Sequence, residues 1–431
     1  MRLVKTRWAL GLGVSGFLAA LILAAAFPSR ADDVTASNVV EQYQKLLDKG
    51  AAKLAYADSK HGYLPDLLRA FGIPRQSQLL VFSASSLQFD TISQKTPRAL
   101  YYQDDISIGA VQGGNLIEII VTDKESGVAF YTLDAAKSDK PRFVRRTVEC
   151  TTCHGYTSRW VPGLMVASYA TGPGGQLLNI DPYNPFHLTD DRTPFEDRYG
   201  GWYVTGKTGA MVHRGNVTLP PDDPLTLPPG GTNVTDLEGR IAKGDYLESG
   251  SDIVALMAME HQAGFVNLAN RLNVQHRGGV TAEVEASIDE LLSYITFEKE
   301  APLPSPVTGS SEFTRVFPAQ GAKDGKGRSL RQFDLQARVF RYPLSYMIYS
   351  QAFDNLSPAI PSGCCAGFMS FCAPRGGAAR RRSISPPPPR QVSQKAGDRC
   401  RNHRELMPIS NGPAGRPLAS DRVQVGLSPQ Q

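Results

Sequence analysis

The sequence predicts an α+β protein in which a β-meander-rich N-terminal part precedes a mainly helical, loop-rich part. Short apolar or alternating runs separated by turn residues indicate antiparallel strands. These runs are Leu79–Ser83, Leu100–Tyr102, Ile106–Val111, Leu116–Val121 and Val128–Leu133. Two long stretches with apolar residues at helical spacing follow later in the chain, which indicates a change to helical structure.

Helices are predicted on both sides of the strand region. The first begins after Ser37, a candidate N-cap, and ends at Gly50. A short second helix covers Leu64–Ala70, with a proline in its first turn. The two long helices cover Asp252–Leu272 and Glu283–Phe297. We expect each long helix to bury one apolar face, and His261 lies on that face of the first.

The N-terminal segment 1–31 has the pattern of a secretory signal peptide. Basic residues precede a nearly continuous apolar stretch, and the small residues around Ala31 suit cleavage before Asp32. The alternative is an uncleaved membrane anchor, because the stretch is nearly long enough to span a bilayer. Either interpretation predicts export, with a periplasmic location and membrane contact only through this segment.

The last segment, 361–431, differs from the rest of the chain. It contains four of the six cysteines, an arginine run and a proline run, and it has no apolar periodicity after Phe371. We expect either a disordered basic extension or the product of a reading-frame shift near Ile360. The overall charge of +5 comes from the two ends. The body between them is mildly acidic and gives no support to nucleic-acid binding.

The most informative motif is Cys150-Thr151-Thr152-Cys153-His154. A C-x-x-C-H sequence is typical of covalent haem attachment: both thiols bond to one macrocycle and the histidine ligates the iron. Cys150, Cys153 and His154 are therefore the predicted haem c residues, with His154 as the axial iron ligand. Arg145, Arg146 and Arg159 flank the motif and either pair with the haem carboxylates or form a solvated basic patch.

Two other interpretations of the cysteine pair remain open. A redox dithiol should begin a helix after a strand in a βαβ unit, and no clear parallel-strand pattern follows the motif. A four-thiolate zinc site is excluded because no third cysteine occurs between Ala31 and Ile360. A mixed zinc site requires two more histidines.

Several stretches spread along the body resemble a family of exported bacterial proteins that carry one cytochrome c motif inside a large non-standard domain. They include FGIPRQSQLLVFSASSLQ, TPRALYYQDD, GVAFYTLD, CTTCHG, GGWYVTGKTGAMVHRGN, DIVALMAMEHQ and YPLSYMIYS. The resemblance implies haem binding and electron transfer, and it names no substrate. Family members have a histidine where this chain has Thr208, which weakens any role for that position here. The resemblance ends near Ile360.

The sixth iron ligand is either His213 or His261, a methionine, or absent. His213 lies in a glycine-bounded loop, where the backbone can approach a flat cofactor. His261 lies one helical turn after Met257 on an apolar face. Each histidine also has a simpler interpretation, as a surface loop residue or as a buried hydrogen-bonded one.

The expected organisation has five segments: a signal peptide (1–31), a helical lead-in with the β region (32–135), a haem-binding region with two long helices (136–300), a linker with an apolar segment (301–360), and the tail (361–431). The leading hypothesis is a periplasmic monohaem c-type cytochrome that exchanges electrons with redox partner proteins. The alternative is a haem-dependent oxidoreductase or haem-based sensor with an open sixth position. The sequence leaves open whether the protein is an enzyme.

Overall fold

The computed structural model describes residues 36–155, 161–178, 187–223, 226, 228, 230–242, 244–279 and 281–357. The described residues from Ser37 onward form one compact unit. The predicted signal peptide and the predicted tail lie outside the described residues. Within the described ranges, no helix combines the length and the apolar character needed to cross a bilayer.

A seven-stranded sheet forms the centre of the molecule, with the strand order β6-β5-β4-β3-β2-β1-β7. Every pairing in this sheet is antiparallel. Its strands are β1 (Leu79–Val81), β2 (Arg98–Gln103), β3 (Ile106–Val111), β4 (Leu116–Asp123), β5 (Gly127–Asp134), β6 (Phe143–Arg146) and β7 (Trp202–Tyr203). A separate pair consists of β8 (Gly206–Lys207) and β9 (Thr308–Gly309). The predicted meander is confirmed, and the apolar runs had missed β6.

Seven helices are present in the described ranges. They are α1 (Val39–Asp48), α2 (Leu64–Ala70), α3 (Val148–His154), α4 (Ile253–His276), α5 (Ala282–Ile295), α6 (Phe313–Gln320) and α7 (Gln351–Asp354). The cap of α1 is Asn38, whose side chain accepts from the N–H groups of Val40 and Glu41. The predicted cap, Ser37, instead donates its hydroxyl to Asp123 at 2.5 Å and its N–H to Glu41 Oε2 at 3.0 Å.

The central helix α4 is buried on nearly all sides, whereas the sequence predicted a single buried face. Its polar side chains are buried as well, among them Glu260, His261 and Gln262. The helix packs on one face of the sheet: the Tyr102 hydroxyl donates to the carbonyl of Ala255 at 2.5 Å. A helix enclosed in this way must satisfy its polar groups with protein partners.

The opposite face of the sheet packs on α1 and α2, in a second apolar cluster that contains Val40, Leu67, Tyr101 and Ile119. The fold is therefore α+β, with the sheet between two helical layers. The predicted separation into a β part and a helical part is only partly right. The pair Trp202–Tyr203, far along the chain, extends the sheet beyond β1, because antiparallel pairing does not require neighbours in sequence.

A buried polar network holds α4 to the loop before β7. Glu260 accepts from Arg198 Nη1 at 2.8 Å, from the Tyr199 hydroxyl at 2.9 Å and from the Thr189 hydroxyl at 2.8 Å. The side chains of Arg198 and Glu260 are 1% and 0% exposed. Such a pair destabilises the fold strongly if one partner is removed, because the other charge remains buried without compensation.

We therefore expect Glu260→Gln to lower the free energy of unfolding by about 3 kcal/mol or more. The measurement is chemical denaturation at neutral pH. Glu312→Gln is the control, since its pair with Arg315 lies at the surface with both side chains more than half exposed. A Glu260→Gln protein as stable as the Glu312→Gln protein would contradict the importance of this network.

Candidate cofactor-attachment site

The Cys150–His154 motif lies on α3, which follows the edge strand β6 directly. Cys150 and Cys153 are three residues apart and His154 is four residues after Cys150, so the three side chains share one helical face. Cys150 is half-buried and Cys153 is exposed, and both are free thiols. The hydroxyls of Thr151 and Thr152 bond back to backbone carbonyls one turn earlier. The two threonine hydroxyls are therefore occupied by the backbone of their own helix.

The orientation of the His154 ring is set by the loop that follows the motif. Its Nδ1 donates to the carbonyl of Gly163 at 2.8 Å, since a carbonyl can only accept. This bond fixes the tautomer and makes Nε2 the nitrogen with the lone pair. The ring also lies 4.9 Å from the ring of Phe130, centroid to centroid. Burial lowers the pKa of His154 to about 4, so the imidazole is neutral at neutral pH.

The central helix α4 holds the loop that orients His154. The Asn267 side chain accepts from the N–H of Leu164 and donates to its carbonyl, both at 2.8 Å. The Asn270 amide donates to the carbonyl of Pro162 at 3.3 Å. These bonds place Gly163 between two anchored residues. Sequence reasoning missed both asparagines, because they are more than a hundred residues from the loop they hold.

The thiol of Cys150 packs against the apolar cluster of the sheet and α4. Burial, with smaller contributions from the charges of Glu118 and Glu149, raises the pKa of this thiol to about 11. A redox dithiol needs a stabilised thiolate and therefore a lowered pKa. The strand before the motif also belongs to an antiparallel sheet and not to a βαβ unit. Both observations weigh against the dithiol interpretation.

The zinc interpretation gains no support from the described ranges, in which no group of three or more His, Cys, Asp or Glu side chains is arranged to hold a metal ion. A cavity of about 390 Å³ lies on the α1 and α2 side of the sheet, where it is lined by Tyr56, Lys60, Tyr101 and Asp245. It is therefore not part of the site on α3.

His213, the first candidate sixth ligand, is buried beside Tyr199, with ring centroids 5.8 Å apart. Its Nδ1 accepts from the N–H of Gly215 at 3.1 Å, so the neutral ring carries its proton on Nε2. That Nε2 is buried and has no hydrogen-bond partner. Burial also lowers the pKa of His213 to about 4. In this arrangement the lone pair is already used by Gly215.

His261, the second candidate, has both ring nitrogens engaged. Nδ1 bonds to Asp191 Oδ2 at 2.5 Å and Nε2 to the Ser345 hydroxyl at 2.6 Å. The ring stacks on Tyr294 at 5.1 Å. Ligation of iron by His261 would require the loss of one of these bonds. The hydrogen bonds and ring contacts described for His213 and His261 are made with residues outside the Cys150–His154 motif.

The Asp191–His261–Ser345 arrangement has the order of contacts found in serine hydrolases. The hydroxyl of Ser345 is buried and also accepts from the N–H of Met347 at 3.1 Å. A nucleophile must be open to its substrate, and Ser345 is 0% exposed. The His261 ring beside it packs against Phe340 and Tyr346. The three residues therefore join α4 to two distant loops. Their distance in sequence hid this cluster from the sequence analysis.

Comparison with known proteins returned no match: no family model, no curated protein and no solved structure is significantly similar to the chain. The face of α3 that carries two thiols and a neutral imidazole of fixed tautomer is therefore the feature from which a function is inferred.

Burial of neutral His213 predicts a loss of stability in acid. The unfolded chain has an ordinary histidine pKa of about 6.5, and the folded pKa is about 4. The unfolded state thus binds more protons between these values, and the free energy of unfolding falls as the pH drops through this window. His213→Gln should reduce the slope by up to about 1.4 kcal/mol per pH unit.

Chemical denaturation at a series of pH values from neutral to 4 tests this expectation. His61→Gln is the control, because His61 lies at the surface beside Asp58. We expect the control to keep the slope of the unmodified protein. An unchanged slope in His213→Gln would show that His213 is not buried in its neutral form.

Proposed function

We propose that the protein is a periplasmic monohaem c-type cytochrome that transfers electrons between redox partner proteins. The proposal is carried by the face of α3, where Cys150, Cys153 and His154 lie together and where Gly163 fixes the tautomer of His154. An exported c-type cytochrome agrees with the signal-peptide pattern of segment 1–31.

The residues of the site fit the chemistry of covalent haem attachment. Two free thiols with the C-x-x-C spacing suit thioether bonds to one macrocycle. A neutral imidazole that donates Nδ1–H to a carbonyl is the form in which histidine ligates a metal through Nε2. When bound, the haem iron supplies one-electron oxidation and reduction.

The protein contributes position and environment to this function. Asn267 and Asn270 hold the loop that bonds to His154, so the imidazole keeps one orientation. Phe130 covers the ring of His154. The hydrogen bond from Nδ1 also makes the imidazole a stronger donor to iron, which favours the ferric state. We infer that α4 sets the reduction potential through these contacts, without touching the iron.

A second candidate function is a haem-dependent oxidoreductase or haem-based sensor with an open sixth position. The observation that favours it concerns the two candidate histidines. Both nitrogens of His261 are hydrogen-bonded, and Gly215 occupies the lone pair of His213. If neither histidine reaches the iron, the sixth position is left to a methionine or stays open to an external ligand.

Covalent attachment is tested by producing the exported protein in a host that attaches haem c. We expect a pyridine haemochrome spectrum typical of haem c and a mass increase of one haem. The double variant Cys150→Ser/Cys153→Ser should lose the covalent haem entirely. Thr152→Ser is the matched control, because it changes the same helix without removing a thiol. A colourless exported protein whose thiols are both open to alkylation would refute the proposal.

Carbon monoxide separates the two functions. If a strong sixth ligand is present, as in an electron carrier, we expect the reduced, haem-loaded protein not to bind carbon monoxide in the absence of denaturant. Rapid binding would favour the oxidoreductase or sensor. If His213 is the ligand, the His213→Ala protein should bind carbon monoxide, whereas the His61→Ala protein should still not bind it. If neither variant binds carbon monoxide, His213 is not the sixth ligand.

A further inference from the structure

An incompletely satisfied ion pair lies on the same sheet face as the haem motif. Arg98 Nη1 donates to Glu118 Oε2 at 2.9 Å, and the two side chains are 18% and 15% exposed. Arg98 Nε and Glu118 Oε1 are both buried and have no hydrogen-bond partner in the part of the chain that the structure describes. Buried donors of a charged group rarely remain unsatisfied, so each such atom calls for a missing partner.

The sheet register places this pair beside the motif. Glu118 on β4 is opposite Gly109 on β3, which is opposite Leu100 on β2. Phe130, which contacts His154, is opposite Ile120, two residues after Glu118 and thus on the same face. Half-buried Leu100, Ile120 and Cys150 all pack against one apolar cluster. One side of the sheet therefore carries the ion pair, the Phe130 ring beside His154 and the Cys150 thiol.

The ion pair lies against the backbone of β3 at Gly109. A Cβ at this position would be 3.5 Å from Arg98 Cδ and 3.6 Å from Glu118 Oε2, which are ordinary van der Waals distances, and 3.1 Å from Leu100 Cδ2, which is a tight contact.

Two of the three arginines that flank the motif in sequence are differently engaged, and the third, Arg159, lies outside the described residues. Arg145 bonds to Glu41 at 3.1 Å and lies over the Tyr131 ring, on the face that packs against α1. Arg146 lies on the motif side, where its Nε donates to Thr132 at 3.0 Å and its Nη1 to Glu149 at 3.3 Å. Of these cations, Arg98 is the one whose buried donor lacks an acceptor.

We propose that Arg98, positioned by Glu118, binds a carboxylate side group of the haem through its Nε. The inference rests on the proposed haem attachment and names a binding residue of that same site. An anionic carboxylate is the acceptor that a buried guanidinium N–H requires. Glu118 fixes the guanidinium at Nη1 and balances its charge, so the side chain is held ready for the ligand.

The test uses the exported, haem-loaded protein and the charge-neutral double variant Arg98→Gln/Glu118→Gln. The matched control is Arg145→Gln/Glu41→Gln, which removes an ion pair from the opposite face. In the first variant we expect the resonance Raman propionate-bending band to shift. We also expect its reduction potential to depend on pH near neutrality more steeply than that of the unmodified protein, because the carboxylate loses the cation that keeps it ionised.

Other titratable and charged groups on this side of the sheet are His154, Arg146, Glu149, Cys150, Cys153 and Tyr169. They are present in every variant, so the comparison isolates Arg98 and Glu118. The control should keep both the Raman band and the pH dependence of the unmodified protein.

Three outcomes are decisive. A Raman band and a pH dependence identical to those of the unmodified protein would overturn the role of Arg98 while haem attachment stands. An unmodified protein without haem would instead overturn the proposed function. If the double variant does not fold, Arg98→Lys keeps the charge and removes Nε; a shifted Raman band in this variant supports the proposal, and an unchanged band contradicts it.

Discussion

Enclosure of α4 on nearly all sides is the constraint on which the rest of the structure depends. A helix without a solvent face must pair each of its polar side chains inside the protein. Glu260 binds Arg198 and Tyr199 of the loop before β7, and His261 binds Asp191 and Ser345. The helix thereby fixes loops that are far apart in the chain, and the sheet supplies the surface on which it lies.

The same helix reaches the candidate site through the loop 162–164. Asn267 and Asn270 bind the backbone of this loop, and the loop binds His154. The orientation of the imidazole thus depends on residues more than a hundred positions along the chain from the loop that they hold. Such an arrangement holds the imidazole in one orientation through a backbone carbonyl outside the motif.

The sheet contributes charge as well as shape. Arg98 and Glu118 lie next to each other on one face of the sheet. Each has one buried polar atom without a hydrogen-bond partner in the described part of the chain, whereas both carboxylate oxygens of Glu260 accept hydrogen bonds. A folded protein has little reason to bury an unpaired guanidinium N–H unless a partner is to be added. The proposed haem carboxylate is such a partner. The register of β2, β3 and β4 brings Arg98 and Glu118 together at its proposed site.

The sequence by itself determined the α+β class, the antiparallel strands of the meander, the positions of the long helices and the motif Cys150–His154. These follow from local patterns, since turn residues, apolar periodicity and motif spacing all act over a few residues. Only the tertiary structure decided that α4 is buried on both sides, that Trp202–Tyr203 joins the sheet, and that Arg98 rather than Arg145 lies beside the motif. It also decided the surroundings of His213 and His261. The sequence shows only that His213 lies between glycines and that His261 lies among apolar residues. Hydrogen bonds and strand register between distant segments set these features, and no local pattern in the chain encodes which distant partner a side chain will meet.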